Sequence, residues 1–469
     1  TVTASYTDGQ GTAESQTSTA TAAVANLNDA PTGSVTITGT ATQGQTLTAA
    51  NTLADADGLG TIAYQWKANG SVISGATAST FKLTQAEVGK AITVTASYTD
   101  GQGTAESQTS AASSGVLSAV IQGTSANDSL AGTAGADSVA GGLGNDIYVV
   151  NHLGDVVIEK AGEGSDVVRS SITHTLAANV EHLQLLGSMA IHGTGNSLAN
   201  RLTGNGAANV LKGGSGNDTV SGGSGNDTLY GNAGNDSLVG GTGIDKLVGG
   251  TGNDLYVVNL TSAGALQDTV VETSTVSTEI DTLKLAGAST NTTAATISLS
   301  ASSLANIERL DASATGTSKL NLTGNTKANL LNGNGAANVI KGGSGNDTVS
   351  GGSGNDKLYG DAGADSLVGG SGADSLVGGT GIDKLVGGTG NDLYGVNLTA
   401  AGKLEDTIVE TSTVSTEIDT LKLAGASTNT TAATISLSTS SLVNIERLDA
   451  SATGTSKLNL TGNTKANLL

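Results

Sequence analysis

The chain carries two hydrophobic rhythms. Up to about residue 115, apolar and polar positions alternate over short runs; from about residue 120, an apolar residue recurs at every ninth position. Alternation with a period of two marks a strand with one buried face. It predicts strands at Ser34–Gly39, Gln45–Ala49, Ile62–Ala68, Thr80–Leu83 and Ala91–Tyr98. Asn69-Gly70 is the dipeptide favoured in a type I′ hairpin turn and follows one of these runs. Tyr64 and Trp66 share strand parity and should face the same side, and Trp66, the single Trp, reads most simply as a core residue. Short strands with turn signals every 8–12 residues or so predict a β-sandwich of roughly 90 residues, placed at residues 32–115.

The nine-residue rhythm comes from repeated units. Aligned on their first Gly, three units lie within residues 120–150, seven within 195–257 and eight within 324–395, and a further one begins at Gly462 in the segment 462–469. Position 8 is apolar in all 18 units; position 6 is Asp in 14 and Asn in four, namely Asn200, Asn209, Asn329 and Asn338. A generic Gly/Ser linker has no reason to hold that pattern. Gly at positions 1, 2 and 4 excludes a helix, where each would cost about 1 kcal/mol. Positions 7 to 9 suit a short strand with position 8 pointing inward. Positions 1 to 6 suit a turn in which Gly permits positive φ and exposes backbone carbonyls.

The consensus GGxGxDxUx, with U apolar, as in GGSGNDTLY from Gly222, resembles the nonapeptide of the repeats-in-toxin (RTX), haemolysin-type calcium-binding family. The resemblance implies a parallel β-roll in which two nonapeptides complete one coil, so that every second turn stacks. Stacked Asp carboxylates would then lie one strand spacing apart, about 4.8 Å, and repel by on the order of 1 kcal/mol per pair in water. Carboxylates and carbonyls without His or Cys suit calcium, a hard cation; zinc would prefer nitrogen or sulfur. Pairing position 6 across 18 residues gives Asp128/Asp146, then Asp218/Asp236, Asp227/Asp245 and Asp236/Asp254, then Asp347/Asp365, Asp356/Asp374, Asp365/Asp383 and Asp374/Asp392. About eight calcium ions are expected from these pairs. The Asn-bearing units are expected to be weak or empty lead-ins. Asp137 is set aside, because its in-frame partner Asp155 lies in NHLGDVV, which lacks the paired Gly. Tyr148, Tyr256 and Tyr394 occupy position 8 at the close of each block and are expected to cap the stack.

The connecting segments 151–194, 258–323 and 396–461 are Gly-poor and strand-like, expected as wider solenoid coils or as a small sheet packed on the roll ends. Residues 1–18 recur unchanged at 93–110, and 255–331 recur almost unchanged at 393–469. Residues 1–28 thus read as the C-terminal part of another sandwich copy, and the chain as an internal piece of a longer repeat protein. The run IAYQWKANG, ending at Gly70, resembles the central Trp strand of immunoglobulin-like domains, and the sandwich resembles the bacterial immunoglobulin-like repeats of large surface adhesins. Asn28-Asp29-Ala30-Pro31 resembles the linker of cadherin-like repeat proteins. Asp29, Asp55 and Asp57 stand either as a calcium site at a domain junction or, more simply, as polar turn and linker residues. The fold expected is all-β: an immunoglobulin-like β-sandwich followed by parallel β-roll or β-solenoid blocks.

Composition narrows the function. Ten aromatics among 469 residues cannot fill the interior of an ordinary large enzyme. Without Cys, disulfide scaffolds, zinc ribbons and thiol catalysis are excluded. A net charge of -21 repels nucleic acid and anionic membranes. No apolar run reaches the ~18 residues of a membrane span. His-Glu-x-x-His, Gly-x-Ser-x-Gly and phosphate-loop motifs are missing. The four His (His152, His174, His182 and His192) fall in the first connecting segment and read as strand polar positions rather than a zinc site. Stacked turn carboxylates, expected to be exposed, lack the differing environments that separate an acid from a base, so no catalytic residue and no enzyme are expected. The family resemblance implies calcium as the bound partner, export by type I secretion, a bacterial extracellular or cell-surface location, and a role in a giant adhesin with a cell-surface or extracellular-matrix ligand. The alternative is a non-catalytic calcium-binding C-terminal module of a type I-secreted enzyme or toxin.

Overall fold

A computed structural model describes residues 1–469 except 26, 415, 426 and 427. It comprises two compact units, Thr1–Ala119 and Val120–Leu469. Almost all regular structure is strand, with two single-turn 3₁₀ helices at Gln85–Glu87 and Ser313–Thr315.

The first unit holds a two-stranded hairpin, Thr3–Thr7 with Ala13–Thr17, and two antiparallel sheets around one apolar core. Val35–Thr38, Thr46–Asn51 and Thr80–Lys82 make one sheet; Ser71–Val72, Ala63–Ala68, Ile92–Thr99 and Ala105–Thr109 make the other. Each expected strand lies within two residues of its observed counterpart. Val35 and Leu47 from the first sheet meet Trp66, Ile92 and Val94 from the second. Trp66 is fully buried, its ring centroid 5.8 Å from that of Phe81, and its indole N–H donates to the carbonyl of Ala78 at 2.9 Å. Tyr64 packs against the same core, and its hydroxyl accepts from Asn51 at 2.6 Å. Asn69 and Gly70 both have positive φ, 47° and 81°, as a type I′ turn requires, and Ala68 faces Ser71 across it.

The second unit is a parallel β-solenoid. Leu211, Leu229 and Leu247 stack at 18-residue intervals on one face, and Leu202, Val220 and Leu238 on the other. Two nonapeptides therefore make one coil. The position-8 side chains point inward from both faces and form one continuous core; all are buried except Leu130, which is half-buried. One face is a single 15-stranded sheet running from Ser129–Ala131 to Thr407–Val409. The opposite face is broken into sheets of three, six and eight strands, and a last two-stranded piece, Ala433–Ser436 with Leu458–Thr461, follows the 15-stranded sheet on its own side.

The connecting segments are wider coils of the same solenoid. Leu255–Asn259 pairs with Thr282–Ala286, which pairs with Arg309–Asp311 and then with Leu330–Asn332 of the next block. Tyr148, Tyr256 and Tyr394 consequently do not cap an end. They are fully buried inside a stack that continues past them. At each, the sheet bearing the Tyr runs on while the opposite face stops.

The extra nonapeptide in the third block has a geometric effect. Nine residues are half a coil, so an odd insertion transfers everything after it to the other face. Leu255–Asn259 lies in the 15-stranded sheet, whereas its near-identical counterpart Leu393–Asn397 lies in the eight-stranded one. Truncating an inward residue should cost far more than truncating an outward one. Leu238→Ala is expected to lower stability by about 2–5 kcal/mol in urea unfolding, while Leu153→Ala, at a residue 85% exposed, should leave the midpoint unchanged.

Candidate metal centres

The repeat GGSGNDTVS beginning at Gly213 shows how each turn is built. The carboxylate of Asp218 uses Oδ1 to accept the backbone N–H of Asn200, one coil earlier, at 2.7 Å. The N–H of Asp218 in turn donates to Oδ1 of Asp236, one coil later, at 2.7 Å. The second oxygen, Oδ2, is buried and has no hydrogen-bond partner. It converges with the carbonyl of Gly231 on the bare Cα of Gly213; a Cβ there would lie 2.7 Å from that carbonyl and closer still to Asp218 Oδ2. The three consensus Gly thus answer different demands. Gly213 leaves room for the oxygens, whereas Gly214 and Gly216 have φ of 117° and 101°, closed to most side chains. In two units whose position 2 is not Gly, Asn232 and Asp361 take the left-handed conformation at 77° and 69°. Position 5 supplies a second ladder: the side-chain oxygens of Asn217, Asn226 and Asn235 accept N–H groups one coil on.

All eight Asp pairs expected from the 18-residue spacing are joined in this way. The N–H to Oδ1 distances run from 2.7 Å for Asp128/Asp146, Asp218/Asp236 and Asp227/Asp245 to 2.8 Å for Asp236/Asp254, Asp347/Asp365, Asp356/Asp374, Asp365/Asp383 and Asp374/Asp392. Among the expected ligands only Asp128 departs. Its Oδ2 accepts from the N–H and hydroxyl of Thr124, because position 2 there is Thr rather than Gly. Every other expected ligand has a buried Oδ2 without a hydrogen-bond partner. Asp137 is stacked after all: its N–H donates to Asp155 at 3.0 Å, and Thr133 caps its Oδ2.

The Asn units satisfy themselves. Asn209 Oδ1 accepts from Asn205, and its Nδ2 donates to the carbonyl of Ile191 at 2.6 Å; Asn338 does the same with Asn334 and Leu320. An amide N–H₂ brings its own donor to the place where the Asp turns present two oxygens and nothing between them. Glu308 and Glu446, which continue the ladders through the wide coils, are instead paired with Lys327 at 2.6 Å and Lys465 at 2.5 Å.

Sequence reasoning missed the acids of the wide coils. Asp166, Asp268, Asp281, Asp406 and Asp419 accept the N–H groups of Asp146, Asp245, Asp254, Asp383 and Asp392. A signal existed: each stands two residues before a buried apolar residue (Val168, Val270, Leu283, Ile408 and Leu421), which is the D-x-U half of the nonapeptide without its Gly opening. At the end of each block three carboxylates also converge. One oxygen each from Asp146, Glu159 and Asp166 lie within 4.8 Å of one another, as do those of Asp254, Glu272 and Asp281, and of Asp392, Glu410 and Asp419. The closing Tyr donates to the Glu of its triad, at 2.5 Å for Tyr256 to Glu272 and for Tyr394 to Glu410, and likewise for Tyr148 to Glu159.

Other candidates come apart. His174 and His182 lie on strands of different sheets, and His192 accepts the N–H of Val210. Asp55 accepts from Tyr98 at 2.5 Å and from the N–H of Asp57, while Asp57 accepts the N–H of Asp29 at 2.8 Å. These bonds join Asp29, Asp55 and Asp57 in one turn-and-linker network.

Burial sets the electrostatics. Desolvation, with a smaller push from the carboxylate of Asp236, raises Asp218 to about 7, against the lowering hydrogen bond from Asn200. The same causes raise Asp347 and Asp356 to about 7 and Asp227 and Asp365 to about 6. An ordered row of desolvated carboxylate and carbonyl oxygens, with no protein cation opposite it, is the donor set of a hard divalent ion.

The model of the RTX calcium-binding nonapeptide repeat (4 copies) matches residues 119–149, 194–229, 230–259, 323–358, 332–367 and 368–394. The nonapeptide blocks of the solenoid are RTX calcium-binding repeats. No curated protein matches the chain. In the RTX turns, a calcium ion would be held by the free Oδ2 of Asp and the adjacent Gly carbonyls. The charge it supplies would offset the stacked carboxylates, which the hydrogen bonds to Oδ1 already hold in register.

Two expectations follow. Gly231→Ala would place a methyl group among Asp236 Oδ2 and the Gly249 carbonyl, 2.6 Å away, and should raise the calcium concentration needed for folding; Gly206→Ala, with nothing within 4 Å, should not. A calcium titration followed by circular dichroism distinguishes them. The second concerns the metal-free protein. Carboxyls whose folded pKa is raised stabilise the fold in acid and lose that contribution as pH rises through their folded values of about 6–7. In chelator, strand signal should therefore be greater near pH ~5 than near pH ~8, and calcium should abolish the difference. A pH-independent spectrum in chelator would show that these carboxyls do not limit folding.

Proposed function

We propose that this chain is a non-catalytic, calcium-folded part of a bacterial protein exported by type I secretion, serving as the stalk or C-terminal portion of a large cell-surface adhesin. The observation that carries the calcium reading is the file of buried Asp Oδ2 atoms without a partner, repeated every half-coil. Extracellular calcium modules bind at about 10⁻⁴–10⁻³ M. Such sites stay empty at cytosolic calcium and fill outside, so export of a loose chain followed by folding suits this geometry. About eight nonapeptide ions are assigned, one per stacked Asp pair. The reading assigns no catalysis, because the stacked carboxylates share one kind of environment and acid–base chemistry needs two that differ. Among the described residues no helix is long and apolar enough to cross a membrane.

The adhesin assignment draws on the first unit. Its two antiparallel sheets and buried Trp66 suit an immunoglobulin-like spacer, and the recurrence of residues 1–18 at 93–110 suits a tandem of them. The sequence of the whole reading frame separates the two parent proteins: further 92-residue copies support the adhesin, and a catalytic domain supports the secreted enzyme.

The full chain should gain strand signal in circular dichroism on adding calcium and lose it in chelator; an unchanged spectrum would overturn metal-driven folding. Asp236→Ala and Asp365→Ala each remove a carboxylate stacked on both sides. Each should raise the calcium midpoint roughly tenfold, the equivalent of about 1.4 kcal/mol. Asn209→Ala should lower stability without moving the midpoint comparably, and equal shifts would sink the site assignment.

A further inference from the structure

We propose that the three carboxylates converging where each nonapeptide block ends form a second class of cation site, distinct in composition from the RTX turns and taking a hard, oxygen-seeking divalent ion. The inference rests on the calcium reading above and extends it to residues outside every matched repeat: Glu159, Glu272 and Glu410 lie in the wide coils.

The first block shows the site most completely. Asp146, Glu159 and Asp166 are 0%, 8% and 1% exposed. Asp146 Oδ2, Glu159 Oε2 and Asp166 Oδ2 are all buried and have no hydrogen-bond partner. Their companion oxygens are already used: Oδ1 of Asp146 and of Asp166 accept ladder N–H groups, and Oε1 of Glu159 accepts from Tyr148. Three acids are therefore oriented by fixed donors so that one oxygen of each is left over, and one carboxylate oxygen from each of the three lies within 4.8 Å of the others. Gly141, with no side chain, keeps the space beside Asp146 and Glu159 open; a Cβ there would stand 2.7 Å from Glu159 Oε1. No Lys, Arg or His forms an ion pair with any of the three among the described residues.

The triads around Glu272 and Glu410 keep the convergence of three carboxylates and the Tyr–Glu bond, but there the second Glu oxygen accepts the N–H of Ser274 or Ser412, and the bare buried oxygen is Oδ2 of Asp254 or Asp392. The chemistry separates the two classes. A turn site offers one Asp from each of two coils plus backbone carbonyls. The end site offers three carboxylates, one of them a Glu delivered by the wide coil itself. Its three negative charges ask for a cation more strongly than a turn does, and all-oxygen ligation without imidazole or thiolate selects calcium over zinc. An ion there would tie the wide coil to the last nonapeptide, which is where the Gly-rich turn that elsewhere fixes the chain is missing.

The test uses the whole chain with calcium as the only added metal. The triple variant Glu159→Gln, Glu272→Gln and Glu410→Gln keeps shape and the Tyr hydrogen bond but removes one charge per triad. Metal analysis after dialysis against calcium should find three fewer ions per chain than in the parent, one per triad. Glu163→Gln, a nearby acid outside the triad, should change nothing. An unchanged ion count in the triple variant would overturn the proposal. Should that variant lose its strand signal, crystals of the unaltered protein grown with calcium decide the matter. Anomalous density both in the nonapeptide turns and between Asp146, Glu159 and Asp166 supports the end site. Density in the turns alone overturns it while leaving the calcium reading intact, and density in neither overturns both.

Discussion

An Asp carboxylate with one oxygen bound and the other left bare is the unit from which the solenoid is made. From Asp146 onward, Oδ1 of each position-6 Asp closes a hydrogen bond with the backbone one coil earlier, which fixes register beside the strand pairing. That bond also commits Oδ2 to a buried place where no donor waits. Burying an anion without a partner is costly unless a charge arrives from elsewhere. Structure and requirement are therefore inseparable: the same side chain that aligns the coils creates the demand for a cation. The position-8 core supplies apolar burial throughout, yet with two small aliphatic residues per coil it offers little with which to offset many desolvated carboxylates.

The solenoid answers this demand in three ways along its length. In the Asp turns the oxygens remain bare. At the opening of the second and third blocks, Asn209 and Asn338 carry an amide N–H₂ in the same position and bond to Ile191 and Leu320. At the far side of the wide coils, Glu308 and Glu446 find Lys327 and Lys465. Units without a bare oxygen thus flank those that have one. This gives the Asn units a definite structural part, since an amide closes the turn by itself where a carboxylate cannot.

Much of the site was legible because the nonapeptide is a nearly complete specification. Position 8 marks the core, position 6 the carboxylate, and 18-residue pairing the stack; all eight expected pairs are joined by hydrogen bonds. What escaped notice were acids whose turn had lost the Gly-Gly opening. Asp155 was in frame but set aside for want of the paired Gly, yet the strand Val156–Ile158 still pairs in register with Ser138–Ala140 and Asp155 accepts the N–H of Asp137. Asp281 sits 27 residues after Asp254 rather than 18, yet reaches the same ladder position because the wide coil bulges between two strands that remain neighbours. Glu159 had no periodic signal at all; only the coil's return path brings it to Tyr148.

The eighteen residues that occur twice separate local from tertiary control. Thr3–Thr7 pairs with Ala13–Thr17, and Thr95 with Thr109 in the second copy, in the same register; the identical Asp-Gly turn fixes the hairpin without help from elsewhere. Yet Tyr6 is 65% exposed and Tyr98 is 5% exposed, because only the second copy has a facing sheet. The same holds for Leu255–Asn259 and Leu393–Asn397, alike in sequence but placed on opposite faces by one intervening nonapeptide. Strand, turn and the spacing of ligands are set by neighbours along the chain, where hydrogen-bond geometry and side-chain period act over a few residues. Which face a strand joins, and which distant acid completes a site, depends on how many half-coils lie between, a sum that only the folded stack carries out.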